Sequence, residues 1–227
     1  MHELGLRTRF GCILWVPRWY QTQAKQVLIV GRPQVGKTLF LINYAAYLGQ
    51  QQLKLVRHEA DQTVETVVLS PVQARTRLVG EGAPHKTLAL QHVAMNFPKA
   101  KGSVQIELCD TPGLVDTIPS DEQLRRGMAQ AIRRIRQSHM VLHIVDATRL
   151  RQPSNVSDEV ASIDEEIARF GLSRGGYVVL VNKIDLPGAQ DAPRRARALF
   201  PGHLIIGVSA LTSRGFKEVT RVVRRYL

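Results

Sequence analysis

The sequence predicts an α/β protein with a three-layer α/β/α fold, built around a mainly parallel sheet with one antiparallel edge strand. Two observations predict this fold. Strand-like runs alternate with helix-like runs through the second half of the chain, which implies right-handed crossovers onto a parallel sheet. Before them, strand-like runs at 88–97 and 104–108 flank the turn-forming residues 98–102, which is typical of a hairpin. The 227 residues suffice for one such domain with a short extension.

Local patterns predict the other elements in order. An apolar run at 26–30 predicts the first strand, and apolar residues at helical spacing over 39–48 predict a helix that ends before Gly49. Amphipathic and buried-strand patterns predict the elements of the second half. These are helices at 121–138, 156–170, 192–200 and 216–226, and strands at 140–145, 177–181 and 203–208.

Segment 50–86 has a mixed character. Its β-branched run 63–69 alternates as a strand does, whereas 70–71 and 80–84 consist of turn-forming residues. Long structureless loops are uncommon in compact domains. We therefore expect segment 50–86 to contain an inserted element or a mobile functional loop.

A glycine-rich loop joins the first strand to the first helix. It reads GRPQVGKT over residues 31–38, and this GxxxxGK[ST] pattern between a strand and a helix is typical of a phosphate-binding loop. The glycines allow a tight turn, so that backbone N–H groups and the helix N-terminus point at one anionic group. We expect Lys37 to reach the β- and γ-phosphates and the Thr38 hydroxyl to bind Mg²⁺. The predicted phosphate-binding residues are Gly31, Arg32, Pro33, Gln34, Val35, Gly36, Lys37, Thr38 and Leu39.

A second motif, Asp110-Thr111-Pro112-Gly113, follows directly on a predicted strand. We expect Asp110 to approach the Mg²⁺ shell and the Gly113 amide to bind the γ-phosphate. Because hydrolysis removes that phosphate, the loop after Gly113 would respond to the state of the nucleotide.

A third motif, NKID at 182–185, stands at the end of the predicted strand 177–181, where open α/β sheets bind ligands. The Asp185 carboxylate can accept hydrogen bonds from both N1–H and the amino group of guanine. Adenine cannot supply both donors and would leave a buried carboxylate unpaired. The predicted base-binding residues are Asn182, Lys183 and Asp185, with the backbone amides of Ser209, Ala210 and Leu211 placed to meet the guanine O6.

In order and placement, GRPQVGKT, DTPGL at 110–114, NKID and VSALT at 208–212 resemble the motifs of the TRAFAC GTPases. Within that class they are similar to the Era-like group, which includes Era, the tRNA-modification GTPase and the double-domain ribosome-assembly GTPase. The resemblance covers residues 26–227 and implies a P-loop NTPase G domain preceded by an extension, 1–25. It also implies that the protein binds GTP or GDP with Mg²⁺, hydrolyses GTP to GDP and phosphate, and switches between two nucleotide states.

The resemblance further implies a threonine in the first switch loop, whose hydroxyl completes the Mg²⁺ shell when GTP is bound. Thr87 immediately precedes the predicted strand 88–97, as that threonine does in the family. Thr76 is the alternative, because the residues around it also resemble the Era switch loop. Either choice leaves more residues after the phosphate loop than the family has, which again indicates an insertion.

The catalytic groups also differ from those of Ras-like enzymes. Leu114 occupies the position of the glutamine that orients the attacking water, and an apolar side chain cannot do this. Some Era-like GTPases use potassium held by an asparagine of the phosphate loop, and Gln34 stands at that position here. The predicted catalytic residues are therefore Lys37, Thr87 and Gln34, with potassium as a further cofactor. We expect slow intrinsic turnover, about 10⁻⁴ per second as in unassisted Ras.

The charge of the chain predicts an anionic partner. A formal net charge of +12 and a pI near 10.3 favour RNA, a ribosomal particle or an acidic membrane surface. Arginines recur in the predicted helices 121–138, 192–200 and 216–226, where each cluster is either an RNA contact or a solvated face. Residues 1–25 contain both tryptophans and either pack on the domain or contact a membrane surface or a partner.

These observations predict a GTP-hydrolysing switch that acts on RNA or a ribosomal particle. The alternative is a non-catalytic or membrane-associated guanine-nucleotide-binding module that recruits partners. Two cysteines do not form a disulfide framework, and no apolar run is long enough for a transmembrane helix. We therefore expect a cytoplasmic protein, with peripheral membrane association as the alternative.

Overall fold

The computed structural model describes residues 24–58, 63–79, 90–117, 120–150, 162–173 and 175–227. Within these residues, eight strands form one sheet and six α-helices cover its faces. The predicted extension, apart from residues 24 and 25, lies outside the described residues, and so do the turn at 80–84 and the first part of the predicted helix 156–170. Among the described helices, none combines the length and the apolar character needed to cross a membrane.

The sheet has the strand order β3-β2-β4-β5-β1-β6-β7-β8. Its strands are β1 (Lys25–Val30), β2 (Leu53–His58), β3 (Val64–Leu69), β4 (Leu90–Pro98), β5 (Ser103–Asp110), β6 (Met140–Asp146), β7 (Tyr177–Asn182) and β8 (Ile205–Gly207). β5, β1, β6, β7 and β8 run parallel to one another. β4 is antiparallel to β5, β2 is antiparallel to β4, and β3 is antiparallel to β2. The predicted fold is therefore confirmed, with an antiparallel edge three strands wide.

The helices are α1 (Lys37–Tyr47), α2 (Pro71–Leu78), α3 (Glu122–Gln137), α4 (Ser162–Leu172), α5 (Ala192–Leu199) and α6 (Phe216–Tyr226). A 3₁₀ helix, Ala147–Leu150, follows β6. α1, α2 and α6 lie on one face of the sheet, where Phe40 and Phe216 pack with their ring centroids 5.2 Å apart. α3, α4 and α5 lie on the other face around Ile135 and Ile167. The sheet thus has an apolar layer on both faces, as a three-layer fold requires.

Within segment 50–86, the described residues form β2, β3 and α2. β2 was not predicted, although its buried Leu53 and Leu55 alternate with the exposed Lys54. The turn expected at 70–71 is instead the start of α2. Ser70 accepts a hydrogen bond from the Gln73 amide, and the Gln73 side chain accepts one from the Ser70 amide. This capping box was present in the sequence as Ser-Pro-Val-Gln.

Candidate functional site

The loops that carry the motifs meet at one edge of the sheet. β5, β1, β6 and β7 are parallel neighbours, so their carboxyl ends lie side by side. Asp110 ends β5, the glycine-rich loop follows β1, and Asn182 ends β7. The sheet therefore brings together three segments that are distant in sequence, at the edge where open α/β sheets bind ligands.

The glycine-rich loop needs glycine at two positions for steric reasons. Gly31 has a φ of +143°, and a Cβ atom there would lie 2.2 Å from the Ile144 carbonyl oxygen. Gly36 has a φ of +95°, and a Cβ atom there would lie 2.5 Å from Nδ2 of Asn182. The exposed Gln34 also adopts a positive φ, 64°. Substituting either glycine would move the loop away from its neighbours.

Lys37 begins α1 and is buried beneath the loop. Its ammonium group donates hydrogen bonds to the backbone oxygens of Gly31, at 3.1 Å, and Arg32, at 2.8 Å. Burial lowers the pKa of Lys37 to about 8, although the carboxylates of Asp110 and Asp164 act in the opposite direction. Among the described residues, the hydrogen-bond acceptors of this buried cation are neutral carbonyl groups, so the site is suited to an anionic ligand.

Asp110 lies at the centre of the site and is fully buried. Its Oδ2 accepts hydrogen bonds from the Thr38 hydroxyl, at 2.7 Å, and from Nε2 of Gln91, at 2.9 Å. Its Oδ1 has no hydrogen-bond partner among the described residues. Burial raises the pKa of Asp110, whereas Lys37 and the hydrogen bonds lower it. An orphaned carboxylate oxygen beside the Thr38 hydroxyl fits a hard divalent cation such as Mg²⁺.

Gln91 was missed by the sequence analysis. It lies on β4, where it is paired with Asp110 of β5 in the antiparallel register, and its side chain is buried. The register of two strands places its amide against the carboxylate, and that register depends on the length of the hairpin between them. A polar residue at a buried position of a strand was the one available signal.

The segment 111–114 packs against the glycine-rich loop. A Cβ atom on Gly113 would lie 2.6 Å from the Pro33 nitrogen, so only glycine permits this approach. The Leu114 amide donates to the Gly31 carbonyl at 3.1 Å, and the Leu114 side chain is completely buried in the core. The Leu114 side chain is thus held away from solvent.

The side chain of Asn182 joins two loops. Its Nδ2 donates to the Val35 carbonyl at 2.8 Å, and its Oδ1 accepts from the Ala210 amide at 2.8 Å. Asn43 of α1 donates in turn to the Ala210 carbonyl at 2.7 Å. The glycine-rich loop and the loop that contains Ser209, Ala210 and Leu211 are therefore held at a defined separation. Of these three residues, Ser209 and Ala210 are buried and Leu211 is exposed.

Lys183 and Asp185 follow Asn182 at the same edge. Lys183 has a φ of +71°, and its ammonium group forms an ion pair with Oδ2 of Asp146 at 2.7 Å. Burial raises the pKa of Asp146, but the bonds from Lys183 and Thr148 outweigh it and leave the pKa lowered. Asp185 is half-buried. The ion pair at the end of β6 was not foreseen from the sequence.

Of the two candidates for the switch threonine, the structure describes Thr76 only. Thr87 lies outside the described residues. Thr76 lies in α2 and is exposed, and its hydroxyl donates to the Val72 carbonyl of the same helix at 3.2 Å. Its place inside a helix gives no support to Thr76 as a metal ligand.

The fold and this arrangement of loops define a P-loop GTPase G domain of the TRAFAC class, as the resemblance implied. The chain belongs to the family described as 50S ribosome-binding GTPase, whose model matches residues 26–183. It is 28% identical over 190 residues to the GTPase Obg of Ruminiclostridium cellulolyticum, covering 79% of this chain and 44% of Obg. It is 28% identical over 201 residues to the tRNA modification GTPase MnmE of Symbiobacterium thermophilum, covering 88% of this chain and 34% of MnmE.

A structure of Era in complex with MgGDPNP and nucleotides 1506–1542 of 16S ribosomal RNA has the same fold. Its TM-score is 0.57 at 24% sequence identity, covering 90% of this chain and 57% of that chain. By length, the chain spans less than half of the Obg and MnmE proteins that it matches.

Proposed function

We propose that this domain binds GTP together with Mg²⁺, hydrolyses the GTP to GDP and phosphate, and acts as a nucleotide-dependent switch. The observation that carries the proposal is the side chain of Asn182, which links the phosphate loop to the loop at Ala210. Phosphate and base subsites at a defined separation suit one ligand that has both a triphosphate and a base. Membership of a GTPase family supports the same reaction.

Each motif takes one role in this proposal. Lys37 and the backbone of 31–38 hold the β- and γ-phosphates, and the Gly113 amide contacts the γ-phosphate. Asp185 accepts hydrogen bonds from guanine, and the amides of Ser209, Ala210 and Leu211 meet its O6. Lys183 covers the base and is oriented by its ion pair with Asp146. The remaining loop residues, Arg32, Pro33, Gln34, Val35, Gly36 and Leu39, shape the phosphate pocket.

Thr38 and Asp110 would hold Mg²⁺, with Thr87 completing the shell in the GTP state. When bound, Mg²⁺ neutralises charge on the phosphate oxygens. Gln91 acts as a positioning residue, because its hydrogen bond to Oδ2 directs the free Oδ1 of Asp110 towards the cation site.

We expect Gln91→Leu to raise the Mg²⁺ concentration needed for half-maximal GTP binding by about tenfold, because loss of an outer-shell hydrogen bond weakens metal binding. Binding of GDP without Mg²⁺ should stay unchanged. Titration of Mg²⁺ against a fluorescent guanine nucleotide measures both quantities. Gln105→Leu, an exposed glutamine on β5, is the matched control. An unchanged Mg²⁺ midpoint in Gln91→Leu would remove Gln91 from this role.

Hydrolysis requires water to attack the γ-phosphorus while the bond to the β–γ bridging oxygen breaks. Leu114 supplies no polar group for this water, so Lys37 and Thr87 would stabilise the charge that develops. Gln34 extends from the exposed side of the phosphate loop, where it would hold potassium. Potassium would supply the remaining positive charge.

We expect single-turnover GTP hydrolysis to be faster in potassium than in sodium. Gln34→Asn should increase the stimulation of hydrolysis by potassium, because asparagine has the shorter side chain and tolerates a positive φ. Gln34→Ala, which has no ligand oxygen in its side chain, should abolish the stimulation. Equal rates in both salts for all three proteins would exclude potassium activation.

The second candidate is a non-catalytic guanine-nucleotide-binding module that recruits partners, at a membrane or elsewhere. The observation in its favour is the complete burial of Leu114, which leaves this position without a water-orienting side chain. If the domain binds GTP but shows no turnover in either salt, even with ribosomes present, this second function is the correct one. For the partner, the charge of +12 and the likeness to an Era structure that contains ribosomal RNA support RNA or a ribosomal particle.

A further inference from the structure

Positive charge collects at the edge of the sheet opposite to the nucleotide site. This edge contains the amino ends of the parallel strands, the tip of the β4–β5 hairpin and the last turns of α3 and α6. The cations there form a set that we call the amino-edge cluster: Lys25, Lys99, Lys101, Arg134, Arg136, Arg224 and Arg225.

Contacts between the elements show that these elements adjoin at this edge. Lys25, the first residue of β1, donates a hydrogen bond to the backbone oxygen of Leu227 after α6. Arg224 of α6 donates to the Pro98 carbonyl at 3.3 Å, next to the hairpin tip. On the other side of β1, the Gln26 amide donates to Nδ1 of His139, which follows α3. Segments from four parts of the sequence therefore form one surface.

Within the part of the chain that the structure describes, the cluster carries an excess of positive charge. Among the described residues, no side-chain carboxylate forms an ion pair with any of its members. The carboxylate of Glu107 on β5 lies near this edge and accepts a hydrogen bond from Gln26. The helix dipole explains arginines in the last turns of α3 and α6. It does not explain Lys99 and Lys101, which lie in a hairpin turn.

The composition of the cluster favours a nucleic acid. Arginine presents a planar fork that matches phosphate and stacks on bases, and Tyr226, 42% exposed, and the exposed His139 lie beside the arginines. α3 and α6 lie on opposite faces of the sheet, so the cluster wraps around an edge. A single-stranded RNA would use both features of the cluster, because its phosphates bind the cations and its unpaired bases stack on the exposed rings.

We propose that the amino-edge cluster is a docking surface for RNA with unpaired bases. This inference rests on the proposed function, because it identifies where the partner of the switch binds. It places the RNA at the edge away from the nucleotide, so that RNA and GTP can be bound together.

The test compares two double variants with matched charge changes. Lys101→Glu with Arg225→Glu changes the cluster, and Lys217→Glu with Arg194→Glu changes exposed residues of the first turns of α6 and α5. The probes are a fluorescent unstructured oligoribonucleotide and vesicles of phosphatidylcholine with phosphatidylglycerol, each titrated at several salt concentrations. Guanine-nucleotide binding is measured on every protein.

We expect the cluster variant to bind the oligoribonucleotide at least tenfold more weakly than the wild type, and the control variant to bind within twofold. The slope of log K against log salt concentration should become less steep by about 1.4. Each phosphate contact on a single strand contributes about 0.7 to this slope, and the variant loses two contacts. Equal weakening in both variants, or binding to acidic vesicles without binding to RNA, would overturn the proposal. Failure of the wild type to bind guanine nucleotides while RNA binding stays cluster-dependent would instead overturn the proposed function alone.

Discussion

Lys37→Ala is expected to abolish tight GTP binding. In the proposed complex the ammonium group exchanges its hydrogen bonds to the Gly31 and Arg32 carbonyls for bonds to phosphate oxygens. The new bonds join two charged groups, whereas the old bonds join the ammonium to neutral carbonyls, so the exchange favours binding. Its loss should weaken GTP binding by at least about a hundredfold, measured by isothermal titration calorimetry with Mg²⁺.

The same substitution removes a buried side chain, so the folded state must be checked separately. Thermal unfolding of Lys37→Ala shows whether the loss of the internal hydrogen bonds destabilises the domain. Lys217→Ala, in which an exposed lysine of α6 is truncated, is the matched control and should bind GTP as the wild type does. A folded Lys37→Ala protein that binds GTP within threefold of the wild type would contradict the phosphate role.

Asp185→Asn is expected to convert a preference for guanine into a preference for xanthine. The carboxylate accepts bonds from N1–H and the 2-amino group of guanine. The asparagine amide presents a donor, which suits the 2-oxo group of xanthine. Loss of these two charge-assisted hydrogen bonds should weaken GDP binding by about a hundredfold. Competition of GDP and xanthosine diphosphate against a fluorescent nucleotide measures the exchange of specificity.

The control for Asp185→Asn is Asp191→Asn. Asp191 is an exposed aspartate immediately before α5, and its side chain makes no capping hydrogen bond. The two substitutions are chemically identical, so only the position differs. If Asp185→Asn keeps the wild-type ratio of the affinities for GDP and xanthosine diphosphate, Asp185 does not recognise the guanine base.

Local chemistry made several elements predictable. The strand–loop–helix unit around Lys37 was predicted because the glycines and the lysine that identify it lie close together in the sequence, within residues 31–38. The helix at 216–226 was predicted with its observed bounds, because its apolar residues recur at helical spacing and pack on α1 through Phe216. By contrast, β2 was not predicted, because the alternation of Leu53, Lys54 and Leu55 does not continue into Val56 and Arg57.

Other features depend on neighbours that local patterns do not specify. His143 of β6 is fully buried between the Tyr177 hydroxyl, at 2.7 Å, and Oδ1 of Asp164, at 2.9 Å. Asp116 is the third residue after Gly113, and its Oδ1 accepts a hydrogen bond from the Ile163 amide at 2.7 Å, which joins this loop to α4. These contacts join residues from separate elements, so only the packed fold could assign them.

The sequence by itself determined the class of fold and the order of the nucleotide-binding motifs, because glycine conformations and strand-end positions are encoded over a few residues. The tertiary structure decided that Gln91 reaches Asp110 and that charges from the hairpin, α3 and α6 share one edge. Both depend on strand register and helix direction, which follow from the burial of apolar surface by the whole domain.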